Sequence, residues 1–258
     1  MTIKIFINPG HGGKDSGAVN RNLDLKEKDI ALKLSNALSI NLQKRKLETR
    51  VFQEGGLVNN KPTTLNDVPK QANLYKADLF VSIHLNAVAP NKAKGVEVLY
   101  HSQSQNGKLL ANYIQSNLVR DHKFIDRGIK ADVRNLLVLK ATNMPACLVE
   151  CGFIDNDEEV KYINSHINEL ANSIANGIIQ YLKDKELWSE SLRIDTQAGY
   201  PSKPSNNENG KGSNKPLDKI IIQMGSNHDK YDLIVDNKVV LKDNNYETII
   251  KYLYEKIL

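Results

Sequence analysis

The chain has 258 residues, 40% of them hydrophobic and 25% charged, enough for one large domain or a medium domain with a small companion. Its net charge of +5 is too mild to mark a nucleic-acid binder and suits a polyanionic substrate surface as well. No apolar run approaches the roughly 18 residues that cross a bilayer, so membrane insertion is not expected.

The N-terminus runs from Met1 straight into the strand-like KIFIN, with no basic segment, long apolar stretch and small-residue cleavage site. The expectation is synthesis in the cytoplasm without a secretory signal. Further strand candidates are Thr49–Gln53, Leu79–His84, Val96–His101, Leu136–Leu139 and Ala146–Val149, after Lys4–Asn8. Helical patterns lie between them. One starts near Lys26 and carries Ile30, Leu34, Ala37, Leu38 and Leu42. Others cover Val68–Lys76, Gly107–Val119 and Asp157–Tyr181, the last with a break near Ser165. Strands alternating with helices predict an α/β fold with a twisted, mostly parallel sheet flanked by helices. Cys147 and Cys151 fall on one face of a strand about 13 Å apart, too far for a disulfide, and read as buried thiols.

From Lys203 to Lys215 the chain reads KPSNNENGKGSNK, without a large apolar residue. This is a flexible linker composition. The expected division is a first domain at 1–188, a linker at 189–216 and a small α+β module at 217–258. In that module Lys219–Met224, Tyr231–Val235 and Lys238–Lys242 read as strands, with Asp236-Asn237 as a hairpin turn. A helix follows Asn244, with Glu247 completing an Asn variant of the capping box. Tyr231, Tyr246, Tyr252 and Tyr254 offer aromatic faces for a ligand or fill the module's core. The helix also has more apolar surface than so small a domain can hide, so surface binding and oligomerisation both stand as roles.

Three strand candidates run into residues that bind metals or move protons: NPGHGG with His11, SIHLN with His84 and Asn86, and LVECGF with Glu150. Ligands of open α/β sheets bind outside the carboxyl ends of strands. Glu27 opens the first helix on the face of Ile30 and Leu34, which points it inward. An inward carboxylate suits a metal, and a first-turn Glu also suits the helix dipole; spacing alone leaves both readings open. The glycines around His11 lack the Lys-Ser/Thr of a nucleotide-binding loop. Imidazole and carboxylate donors together favour zinc.

In order and spacing, NPGHGGKDSGA, LKEKD, ADLFVSIHLNA and MPACLVECGFIDN resemble the zinc-dependent N-acetylmuramoyl-L-alanine amidases of the Amidase_3 type, over about residues 1–183. The resemblance implies one catalytic Zn2+ held by His11, Glu27 and His84, with Glu150 as the catalytic carboxylate. It implies hydrolysis of the amide joining N-acetylmuramic acid to the L-alanine of the peptidoglycan stem, with Glu150 moving the proton from water to the leaving amine. Asn86, Arg127 and Asn135 are substrate-groove candidates, and for Arg127 and Asn135 a solvated loop remains the alternative. Family members usually open with Asp where this chain has Asn8. A carboxylate orienting a histidine would then be an amide, and activity is expected to be tuned rather than lost.

The remaining histidines, His101, His122, His166 and His228, are expected at the surface. Asp29 and Glu97 are expected in structural or supporting roles. Trp188 is expected to cover the last helix of the first domain. The layout of enzyme domain, linker and small module resembles phage endolysins, and a mother-cell enzyme acting on a spore wall is the alternative setting. Bacterial peptidoglycan is the expected partner, with action on the wall after release, and residues 217–258 are expected either to bind the wall, with their tyrosines stacking on sugars, or to drive oligomerisation. A non-catalytic peptidoglycan-binding protein and a zinc peptidase cutting within the stem are the rival functions.

Overall fold

The structure, a computed structural model, describes residues 2–58, 61–88 and 93–187, and the backbone of three strands between 220 and 244. The chain divides into two compact units, Met1–Ala198 and Gly199–Leu258.

In the first unit the elements run β1 (Lys4–Pro9), β2 (Val19–Asn20), β3 (Leu25–Lys26), α1 (Glu27–Gln43), β4 (Glu48–Val51), β5 (Leu57–Val58), β6 (Lys61–Pro62) and α2 (Asp67–Tyr75). They continue with β7 (Leu79–Asn86), β8 (Val96–His101), α3 (Gln105–His122), β9 (Asp126–Asp132), α4 (Leu137–Lys140), β10 (Ala146–Phe153), α5 (Asp157–Ser165) and α6 (Ile167–Asp184). Six strands form one sheet in the order β4-β1-β7-β10-β8-β9. All its pairings are parallel except β10 with β8.

The central strands are apolar on both faces, as a sheet covered by helices on both sides requires. Ile5, Ile7, Val81, Ile83, Cys147 and Val149 pack under α1, α3 and α6. Phe6, Phe80, Leu99 and Leu148 alternate with them and pack under α2 and α4, with Phe6 stacked on Phe80 at 5.9 Å between ring centroids. α1 buries Ile30, Leu34, Leu38 and Leu42, the spacing of a single helix face. α3 starts where the Ser104 hydroxyl accepts from the Gly107 N–H, and α5 where the Asn156 side chain accepts from the Glu159 N–H. The expected break near Ser165 is present: His166 leaves helical geometry between α5 and α6.

Two expectations are corrected. Leu136–Leu139 is not a strand but the short helix α4, which buries Val138 and Leu139 on the Phe80 face. A four-residue apolar run has no period that separates the two structures. The strand Asp126–Asp132 was not anticipated, because it is a half-exposed sheet edge of sequence DRGIKAD with no apolar alternation.

In the second unit β11 (Ile220–Met224), β12 (Tyr231–Val235) and β13 (Lys238–Asn244) form an antiparallel sheet in that order. The expected linker, the Asp236-Asn237 turn, the helix after Asn244, Trp188 and His228 lie outside the described residues. Among the described residues no helix is long and apolar enough to cross a membrane.

Candidate active site

The carboxyl ends of β1, β7 and β10 meet at one edge of the sheet. The Gly10 N–H donates to the Ile83 carbonyl at 2.8 Å, which holds the turn after β1 against β7. There His11 adopts a left-handed conformation (φ 61°) before Gly12 and Gly13. Gly10 has no room for a side chain, because a Cβ there would collide with the His84 ring.

Glu27, the first residue of α1, is 4% exposed and lies between the two histidines. Its Oε1 is 3.0 Å from His84 Nδ1 and its Oε2 is 3.2 Å from His11 Nε2. The Leu85 N–H donates to Oε1 at 3.1 Å and the Ala18 N–H to Oε2 at 3.0 Å, so neither oxygen can swing away. One potential ligand atom from each of His11, Glu27 and His84 lies within 4.8 Å of the others. Burial pushes the Glu27 carboxyl up, but the two imidazoles outweigh it and hold it well below the usual carboxylate range. His11 is pushed up to about 9, chiefly by its hydrogen bond to Glu27 and against the effect of burial, with Asp15 adding to the rise.

The other side of the His11 ring is fixed by a residue the sequence reading did not single out. Asp15 Oδ2 lies 2.8 Å from His11 Nδ1, and its Oδ1 accepts from the Gly17 N–H at 2.9 Å. Asp15 and Gly12 exchange backbone hydrogen bonds that fold the turn back onto the ring. Asn8 does not take that place. It is buried, donates to the Pro9 and Phe52 carbonyls and accepts from the Ser82 hydroxyl at 2.8 Å, and it hydrogen-bonds no histidine. Asn8 thus ties β1 to β7, and the carboxylate that orients a histidine is Asp15. Glu54 also approaches His11 and Asp15, and burial raises its pKa.

Glu150 on β10 is in register with His84 on β7 and with Glu97 on β8. Its Oε2 is buried and accepts no hydrogen bond from any described residue. Burial pushes its carboxyl up to about 7. A cavity of about 210 Å³ opens beside the histidines, walled by Gly10, His11, His84, Leu65, Leu136 and Val138.

Asn86 and Arg127 both reach Glu97, at 3.2 and 2.7 Å. Asn135 is an exposed loop residue with φ 57°, next to Leu136 of the cavity wall. Asp29 is exposed, and His101 and His166 are half-buried. His122 is not simply a surface residue: it bonds the Tyr162 and Ser173 hydroxyls and so links α3 to α5 and α6. Cys147 and Cys151 are buried free thiols.

Residues 5–180 match the family described as N-acetylmuramoyl-L-alanine amidase, Amidase_3, and the chain belongs to that family. It is 31% identical over 193 residues to the germination-specific N-acetylmuramoyl-L-alanine amidase of Bacillus subtilis, covering 70% of this chain and 80% of that one. It is 35% identical over 196 residues to the endolysin of Bacillus phage SPP1, covering 72% and 68%. Among solved structures, an N-acetylmuramoyl-L-alanine amidase from Clostridium difficile 630 superposes with a TM-score of 0.64 at 36% identity, covering 71% of this chain and 98% of that one.

Proposed function

We propose that this chain is a zinc-dependent N-acetylmuramoyl-L-alanine amidase that hydrolyses the bond between N-acetylmuramic acid and the stem L-alanine of peptidoglycan. The observation that carries the reading is the convergence of His11, Glu27 and His84 beside a carboxyl, Glu150, with a buried, unpartnered oxygen. Two imidazoles and one carboxylate are a donor set that suits a catalytic zinc with an open position, so the residues present fit the metal. Bound there, zinc supplies Lewis-acid activation of water and of the scissile carbonyl.

The chain's own groups do the rest. Glu27 is locked by two backbone N–H groups, and His11 by Asp15, which fixes the direction of two ligands. Glu150, desolvated and with a pKa near 7, both accepts and returns a proton near neutral pH. Its Oε2 takes a proton from the attacking water as the new C–O bond forms. It delivers that proton to the amide nitrogen as the C–N bond breaks, leaving a lactyl carboxylate and a free L-alanine amine.

Action on the bacterial wall after release from the cytoplasm is part of the proposal, and similarity to a phage endolysin supports a lytic setting. Similarity to a germination-specific amidase favours a spore-wall setting as the second reading. The module at 217–258, beyond a linker at 189–216, is assigned to wall binding or self-association. Pelleting of the full chain with walls, and its sedimentation alone, separate those roles. The test of the activity is mass spectrometry of digested purified peptidoglycan. Stem peptides with an N-terminal L-alanine are expected. New amino groups elsewhere in the stem would mark a peptidase, and binding without cleavage would mark a non-catalytic wall-binding protein.

A further inference from the structure

His84, Glu150 and Glu97 stand side by side on β7, β10 and β8, in direct register. The next strand, β9, brings Arg127 and Lys130 to the end of this row. Three residues apart on a regular strand, they would face opposite ways. Here the pairing of β8 with β9 slips between Val96 and Val98, and Gly128 turns through φ 76°. The extra residue puts both cations on Glu97: Arg127 Nε donates to Oε2 at 2.7 Å and Lys130 Nζ to the same oxygen at 2.6 Å. Asn86 donates to Oε1 at 3.2 Å.

Glu97 is an anchor. Its side chain is 10% exposed, whereas those of Arg127 and Lys130 are 33% and 44% exposed. One cation would suffice to neutralise Glu97, and two converge on it. Arg127 uses only Nε among described residues, and its guanidinium lies 4.9 Å from the Phe153 ring centroid. Its two amino groups remain available for an anion.

We propose that Arg127 and Lys130, positioned by Glu97, form a carboxylate-recognition subsite for the free α-carboxylate of the second stem residue, a γ-linked D-glutamate. The assignment rests on the amidase reading above. Two strand spacings separate His84 from Glu97, about 9.5 Å. From the scissile nitrogen, an extended stem places the second residue's α-carboxylate about 7 Å away. With a charge-assisted hydrogen bond of about 2.8 Å, that reach is on the scale of the backbone separation across the two strands. Amidation of this carboxylate removes its charge and replaces an acceptor with a donor that faces two cations.

The test is calorimetric binding of two tripeptides, L-Ala-γ-D-Glu-L-Lys and its α-amide, to the full-length protein. The free acid is expected to bind about tenfold tighter, and the gap to shrink in about 1 M salt. Arg127→Gln and Lys130→Gln are expected to narrow the gap further, and kcat/KM for acid over amide stems is expected to fall in parallel. Equal binding of the two peptides by the wild type overturns the subsite, whether or not the variants fold. Absence of stems beginning with L-alanine from digested walls overturns the amidase reading instead.

Discussion

Asp15 Oδ2 lies 2.8 Å from His11 Nδ1, while His11 Nε2 faces Glu27 Oε2 at 3.2 Å. The imidazole is thus held from both sides, with Asp15 fixing which nitrogen faces the cluster. Removing such an outer carboxylate typically costs 10–100-fold in metal affinity. Asp15→Ala is therefore expected to weaken zinc binding by about that factor, measured by competition with a chromophoric chelator. An unchanged affinity would mean that the Asp15 contact does not orient the ligand.

Gly10 is where the turn after β1 passes over the His84 ring, and a Cβ there overlaps ring atoms. Gly10→Ala must displace the ring or the turn. Zinc affinity is expected to drop by about tenfold or more. Gly56→Ala is the control, because the nearest heavy atom to its Cβ lies 3.8 Å away. The same competition assay on both variants checks the difference, and equal losses would refute it.

The desolvated Glu150 carboxyl links stability to pH. Its folded pKa of about 7 lies above the ordinary value of 4.5. Between those values the folded state binds more protons than the unfolded chain, so this group's contribution to stability falls as pH rises. The full cost above the folded pKa is about 3 kcal/mol. Glu150→Gln should therefore gain on the wild type by about that amount from pH 4 to pH 8, with chelator present in both. Urea unfolding across this range measures it, and parallel stability curves would contradict the assignment.

On the proposed mechanism, Glu150→Gln also removes the proton carrier without removing a ligand. Turnover of peptidoglycan is expected to fall about 10²–10⁴-fold. Zinc content is expected to stay at the wild-type level, read by elemental analysis of the same preparation. Loss of zinc together with activity would show that Glu150 acts on the metal site rather than on the proton.

Much of this site is legible in the sequence because its groups sit at strand ends and at a helix start, where local pattern is strong. His11, His84 and Glu150 follow apolar runs, whereas Glu27, on the helix face of buried Ile30 and Leu34, is singled out as a ligand only by the family resemblance. Asp15 lies four residues after His11, but no pattern in the sequence marks it. Its role depends on the Gly12–Asp15 backbone pairing, which no periodicity records. Lys130 was hidden for a related reason: only the slip beside Gly128 turns it to the face of Arg127. The fold followed hydrophobic alternation where burial imposes it. It was misread at Leu137–Lys140, too short for a period, and at Asp126–Asp132, too exposed to need one.

The most direct test of the central claim is zinc titration of the chelator-stripped protein, following release of stems that begin with L-alanine. Activity is expected to be absent at the start and to saturate at one zinc per chain. His84→Ala should show no such recovery at matched zinc. Full activity in the stripped protein, or equal recovery in His84→Ala, would contradict the account.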